Sequence, residues 1–268
     1  MFAVTAFEAR RLGAIRAVVG AFFVVRTTPL LEWVPGLLRH HGGPLYGWPD
    51  EQAYRMGLFG VLLPIALVKA LCVVRTGAAL LFALGVHARV AGVTAALAGY
   101  LVWSQEPLSF IFTYNTLLVA TLLVALGDGA EVHTLLGQRG QATASPVSSV
   151  WLLRGFVVSI YVWGGIAKLN AAWLAGETLR RLATHRFIDG AFSHLVLASS
   201  GARVAAAWGT VAAELGLAVL LLVPRTRVVA VIGACGLHAI FETTAHPDIF
   251  GWLMVTLLAA FWPPRRTT

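Results

Sequence analysis

The chain has 268 residues, 58% of them hydrophobic and only 12% charged, with a mean hydropathy of +0.79 and a formal net charge of +8. Soluble domains carry about 25% charged residues, so this composition and its long apolar runs exclude an ordinary water-soluble domain and indicate a membrane protein. No Lys/Arg cluster with interleaved aromatics accompanies the positive charge, which excludes a nucleic-acid surface and assigns the excess to basic cytoplasmic loops.

A helix needs ~20 apolar residues to cross the bilayer core. The first such run, 11–29, follows Arg10 and Arg11 and continues past Arg26 without a small-x-small cleavage site, so it is expected to be a retained helix rather than a signal peptide. Further spans are expected near 66–86, 88–104, 109–127, 149–169, 204–223, 227–244 and 248–263. The region 57–86 carries Pro64, Lys69 and Arg75, and reads either as one long broken helix or as an interfacial helix leading into a span. The polar stretch 137–149, with its Gly, Ser and Pro, is the one linker-like segment. No internal repeat is evident, and the expectation is a single all-α transmembrane domain over 1–268 with about eight spans.

In that arrangement Arg10, Arg11, Arg89, Arg139, Arg154, Arg225, Arg227, Arg265 and Arg266 share one side. The positive-inside rule makes that side cytoplasmic and puts both termini there. The other side holds 30–65, Gln105–Glu106, 170–203 and the turn at His246–Pro247. Arg180, Arg181 and Arg186 also fall there, and are expected on an interfacial helix over 174–184 rather than in a loose loop. Cys72 and Cys235 lie in apolar runs outside any CxxC pattern and read as buried thiols.

Polar residues gather at one depth near the outer side. Lys168 closes the fifth span, and at helical spacing it shares a face with Tyr161 and Gly165. Gly164 and Gly165 allow a neighbouring helix or a flat ligand to approach the backbone. Tyr114 and Asn115 stand near the outer end of the fourth span. His238, Glu242 and His246 follow at intervals of four, and Pro247 is expected to end their helix. Ionisable groups inside a membrane cost about 2.5–3.5 kcal/mol each on insertion scales, which marks the cluster as a candidate functional site. The bland alternative for Lys168 is a lysine snorkelling to the headgroups. The two histidines are eight residues apart, not four as in a zincin, so no metal site is expected. There is no G-x-S-x-G, P-loop or Rossmann fingerprint.

The stretch YVWGGIAKLNAAWLAG, residues 161–176, resembles a signature of the vitamin K-dependent gamma-carboxylase-like membrane proteins, the HTTM group. Tyr161, Gly165, Lys168, Leu169, Asn170, Ala171, Trp173 and Gly176 carry the resemblance. A second block, His238 followed by Phe250, Trp252 and Met254, is similar to the family's His and Phe-x-aromatic-x-Met run. The resemblance implies that Lys168 is the base acting on a reduced quinone of the vitamin K hydroquinone type. With O2 that quinol yields a stronger base, which removes a glutamate γ-proton so that CO2 can add. It implies that His238 orients or shuttles a proton, and that Tyr161, Gly165, Trp173, Tyr114, Asn115, Glu242 and His246 line the pocket. Where the family has a histidine near the start of the fourth span, this chain offers Tyr114 or Asn115. The last expected span closes near Thr268, so no propeptide-gripping domain is expected.

Such a base must be a neutral amine, which an apolar wall from Tyr161 to Ile166 would favour and a nearby Glu242 would oppose. The leading reading is therefore a quinol-dependent, carboxylase- or epoxidase-like enzyme of a bacterial-type inner membrane, its partners the bilayer, a membrane quinone and a small peptide substrate. The alternative is a non-catalytic accessory protein for maturation or export of a secreted peptide, with Lys168 kept cationic. A transporter is a third reading, disfavoured because the cluster lies toward one face rather than at midplane.

Overall fold

A computed structural model of the chain describes residues 6–39, 63–104, 112–127, 149–185, 187–245 and 249–262. Every regular element among them is helical. In order they are α1 (Ala6–Arg39), α2 (Ile65–Leu84), α3 (Ala88–Trp103), α4 (Phe112–Ala125), α5 (Ser149–Ala167), the short α6 (Ala171–Leu174), α7 (Glu177–Thr184), α8 (Ser193–Leu197), α9 (Ser200–Leu222), α10 (Arg227–Thr244) and α11 (Phe250–Leu258), which ends in a 3-10 turn, Ala259–Phe261.

Four of these, α2, α5, α9 and α10, are long and apolar enough to cross a membrane. The apolar helices α3, α4 and α11 with its final turn are shorter. The 16 residues of α3 rise about 24 Å, less than the ~30 Å hydrocarbon core. Each expected span has a helix at its position, and length with composition directly supports four crossings. Surface chemistry agrees with a lipid solvent. Large apolar side chains such as Val90 (68% exposed) and Trp163 (67%) point outward, while Arg16, Arg75, Arg154, Glu214 and His238 are buried.

Local sequence explains the boundaries. Pro64 precedes α2, and its carbonyl accepts from the Leu67 and Val68 amides, so α2 begins after the proline, while residues 57–62 of the doubtful region lie outside the described residues. The helix stops at Gly85, whose φ of 82° lets the Val86 amide turn back to the Leu81 carbonyl. The Arg16 guanidinium packs against Gly85, where a Cβ would stand 2.7 Å from it. At the other end of the chain, Arg227 donates to the Leu221 and Leu222 carbonyls and so caps α9 from the start of α10. Thr116, Thr121, Thr210, Thr243 and Thr256 each return their hydroxyl to a carbonyl four residues back, which hides it from lipid.

The described chain falls into two units, Met1–Val150 and Trp151–Thr268. In the first, α1 packs on α2, α2 on α3, α3 on α4, and α4 back on α1. In the second, α9 packs on α10 and α10 on α11, while α6, α7 and α8 pack along α9. The segment 170–203 is thus a packed layer. Leu179 and Ile188 close over Ala207 with Trp173, Leu182 and Val196 around them.

Close contact between α1 and α2 depends on Gly20, where a Cβ would come within 2.7 Å of the Ala83 backbone. Gly20→Val forces the helices apart and is expected to cost about 1–3 kcal/mol, read as a lower melting temperature of the purified protein. Gly77→Ala, at a position with nothing within 4 Å, is the control and should not destabilise.

Candidate functional site

The site grows from the end of α5 and the turn that follows it. Helix α5 ends at Ala167, and the Lys168 and Leu169 amides close the last turn onto the Gly165 and Ile166 carbonyls. Asn170 then starts α6 in extended conformation. Its Oδ1 accepts from the Trp173 amide at 2.9 Å, as an N-cap does, and its Nδ2 donates to the Ala167 carbonyl. Gly176 separates α6 from α7 with φ 73°, and a Cβ there would meet Arg203 at 2.8 Å. The asparagine, the tryptophan and the second glycine of the signature thus build a capped, one-turn helix that folds back over α9.

That fold-back fixes Lys168. Its Nζ lies 2.9 Å from both carboxylate oxygens of Glu214 on α9 and donates to the Gly164 carbonyl at 3.1 Å. The Trp173 ring lies 5.3 Å from the same nitrogen, and its Nε1 donates to the Ala207 carbonyl at 3.2 Å. Gly164 and Gly165 make the pairing possible. A Cβ at Gly164 would stand 3.1 Å from Glu214, and one at Gly165 would strike Leu215 at 2.7 Å. The lysine side chain is 22% exposed and the glutamate 9%, so this is a partly buried ion pair beneath an aromatic cover.

Two turns earlier on α5, the Tyr161 hydroxyl is 2.9 Å from His238 Nε2 on α10. His238 is 2% exposed, with the rings of Phe241 and Phe250 edge-on at 6.1 and 5.8 Å. Its Nδ1 is buried with no hydrogen-bond partner among the described residues. Tyr161 and Lys168 are seven residues apart, about 10 Å of helical rise. His238 therefore serves a different end of the site from the ion pair and does not touch Lys168 directly.

The expected face of Tyr161, Gly165 and Lys168 is the face of α5 that meets α9 and α10. The carboxylate beside the lysine, however, is Glu214 and not Glu242. Glu242 packs against Gly251 of α11, where any Cβ would collide with it. The expected apolar wall around Lys168 is accordingly broken by a carboxylate and a carbonyl. Because α10 ends at Thr244, its face carries His238 and Glu242, and His246 lies outside the described residues. Tyr114 and Asn115 belong to α4 in the first unit, where Tyr114 stacks on Trp103 at 4.5 Å. Among the described residues no group of three or more His, Cys, Asp or Glu side chains is arranged to hold a metal ion.

Helix α7 continues the cover. Its apolar stripe joins the small core, while Glu177 accepts from Arg180 at 2.6 and 2.8 Å and from Arg181 at 3.1 Å. These two guanidiniums, Arg180 first, hold the Glu177 carboxyl down at about 2.

Truncating Lys168 should destabilise more than truncating Glu214, because the more deeply buried carboxylate is then left without its counter-charge. Lys168→Ala is expected to cost about 3–5 kcal/mol, Glu214→Ala less, and the Lys168→Met/Glu214→Leu pair less than the lysine change alone; thermal unfolding checks the order. For Glu177 the lowered folded value means its contribution is complete above about 4.5 and disappears as pH falls through about 2. Protection of α7 amides from hydrogen exchange should therefore exceed that of Glu177→Gln at pH 5 and converge with it toward pH 2.

The family model described as the HTTM domain matches residues 6–265. No curated protein and no solved structure is found to match.

Proposed function

Because the chain belongs to the HTTM domain family, the family of vitamin K-dependent carboxylase-like proteins, we propose that it is a membrane-embedded, quinol-dependent enzyme of that kind, with Lys168 as its base and Glu214 as the partner that takes the lysine's proton. The observation that carries the reading is the 2.9 Å contact from Lys168 Nζ to both Glu214 oxygens, inside an apolar helix pair. A base must first lose its own proton. In a medium of low dielectric an ammonium–carboxylate pair and its neutral amine–acid form are close enough in energy to exchange by moving one proton across a single short hydrogen bond. A carboxylate beside an amine favours its charged form, so Glu214 serves this reading as the group placed to accept the lysine's proton when a substrate hydroxyl is presented.

The residues also suit a hydroxylated aromatic ring. His238 Nδ1 is a buried hydrogen-bonding atom without a partner among the described residues, set among the Phe241 and Phe250 rings, and Tyr161 holds the opposite ring nitrogen. A reduced quinone of the vitamin K type supplies, with O2, the basicity needed to activate a glutamate γ-carbon toward CO2. Toward such a molecule His238 would hold one polar edge, Lys168 would receive a hydroxyl proton, and Trp173 would limit entry of water to the pair. The fuller topology, eight crossings with both termini on the cytoplasmic side of a bacterial-type inner membrane, belongs to this proposal, as do a small peptide substrate and pocket roles for Gly165 and Glu242. It is supported by the helix at each expected span and by the basic residues Arg89, Arg154, Arg225 and Arg227 falling on one side of that arrangement.

One observation favours a second reading, an accessory protein for maturation or export of a peptide. Lys168 has three acceptors in place, one for each N–H of an ammonium. The two readings part at Lys168→Arg, which keeps the charge and the pair with Glu214 but cannot deprotonate. Assayed as O2-dependent consumption of a reduced naphthoquinone in nanodiscs, Lys168→Ala and Lys168→Arg should each lose about 10²–10⁴-fold in rate. Full activity of either variant removes the lysine from the role of base. Retained biological function in the arginine variant, with no quinol turnover in the wild type, establishes the accessory role.

A further inference from the structure

Three helix ends of the second unit meet at one level. Helix α5 begins at Ser149, α9 ends at Leu222 and α10 begins at Arg227, and each of these helices is long and apolar enough to cross a membrane. The turn Ala259–Phe261 after α11 joins them, because Arg154 Nε donates to the Ala260 carbonyl at 2.8 Å. These ends mark one membrane boundary. The Lys168–Glu214 pair lies toward the other boundary, where α5 stops.

Two guanidiniums converge on one indole at this level. The Arg154 guanidinium carbon lies 5.1 Å from the centre of the Trp151 ring, and that of Arg227 lies 5.6 Å from it. Backbone carbonyls fix both cations. Arg154 is held by Ala260, while Arg227 donates from Nε and Nη2 to Leu221 and Leu222 at 3.2 and 3.4 Å. The Arg227 bonds use two of the five N–H groups that a guanidinium carries. Arg225, two residues earlier, is exposed. Thr226 gives α10 no side-chain cap, since its hydroxyl bonds to the Leu220 and Val223 carbonyls, so the positive end of the α10 dipole adds to the same field. Trp151 is 52% exposed, and Leu152, Leu222 and Val229 present exposed apolar surface at the same end. A half-exposed tryptophan among cations and aliphatic side chains has the composition of a membrane interface.

We infer that this end of α5, α9 and α10 seats the headgroup of an anionic phospholipid, with Arg225 and Arg227 as ligands of its phosphate and Trp151 as the ring on which its glycerol packs. Charge complementarity selects the occupant. A zwitterionic headgroup carries an ammonium that these guanidiniums repel, whereas a phosphatidylglycerol headgroup brings a net negative charge. Guanidiniums grip phosphate oxygens through paired N–H bonds. The exposed Leu152, Leu222 and Val229 give acyl chains a contact that a free phosphate ion cannot use.

The test is native mass spectrometry of the full chain from micelles titrated with dioleoylphosphatidylglycerol or dioleoylphosphatidylcholine. Phosphatidylglycerol is expected to bind saturably and more tightly than phosphatidylcholine. Arg225→Gln should weaken that binding about fivefold, and Arg225→Gln/Arg227→Gln should remove the preference. Arg180→Gln/Arg181→Gln, which deletes two exposed arginines of α7 beyond the other end of α5, is the control and should leave it unchanged. Arg227 also caps α9, so if its variant fails to fold, Arg225→Gln, whose side chain is exposed, carries the test with the same control. The inference is overturned if the wild type shows no preference for phosphatidylglycerol, or if the α7 control loses as much as the Arg225 variant, which would assign the effect to general surface charge. Displacement of the lipid by millimolar inorganic phosphate at matched ionic strength also overturns it, since the ligand would then be a free anion. Arg154 and Lys168 are about 20 Å apart along α5, so these outcomes leave the proposed reaction untouched.

Discussion

A charge inside an apolar helix assembly must find its counterpart in the same protein, because neither lipid nor a packed core will provide one. That requirement organises both halves of this chain. Lys168 meets it with Glu214. Arg154 meets it by donating to the Ala260 carbonyl at 2.8 Å and lying over the Trp151 and Phe261 rings. Glycines then appear where the pairing demands that helices close up, at Gly164 and Gly165 against α9 and at Gly251 against Glu242. Arg75 likewise donates to the Thr27 carbonyl at 3.1 Å beside the Trp103 ring.

Seen this way, the 161–176 signature has a mechanical meaning beside any chemical one. Asn170 starts a helix, Trp173 braces it to the Ala207 carbonyl, Gly176 lets the chain turn, and the lysine is left pointing under the resulting shelf. A lysine at a span end commonly reaches for the headgroups. Here the Trp173 shelf and Glu214 hold it beside α9 instead.

Much of this was legible in the sequence, and the parts that were not share a cause. Apolar run length located the helices, since helical rise and bilayer thickness leave little freedom. The 3.6-residue period correctly put Tyr161, Gly165 and Lys168 on one face. Partners across helices were another matter. Glu242 drew attention because it stood beside two histidines in sequence, but its neighbour is Gly251. Glu214 stood alone in α9, and a single carboxylate in a 23-residue apolar helix was itself the available signal. Helical period fixes direction on one helix and says nothing of which residue faces it on the next. The same gap separated Tyr114 from its real contacts, Trp103 and Arg26, which lie in runs that sequence order keeps apart.

The indole of Trp173 is tied at its nitrogen to α9 and lies against the ammonium, while its backbone belongs to a helix only four residues long. A side chain tethered in this way does not swing aside by rotating about χ1, as an untethered aromatic gate does. Exposing the amine from that direction requires the whole turn from Asn170 to Gly176 to pivot, with the extended asparagine and the left-handed glycine as its two natural hinges. Entry to the lysine would then be timed by backbone rearrangement, in microseconds to milliseconds, and not by the nanosecond flicker of a rotamer.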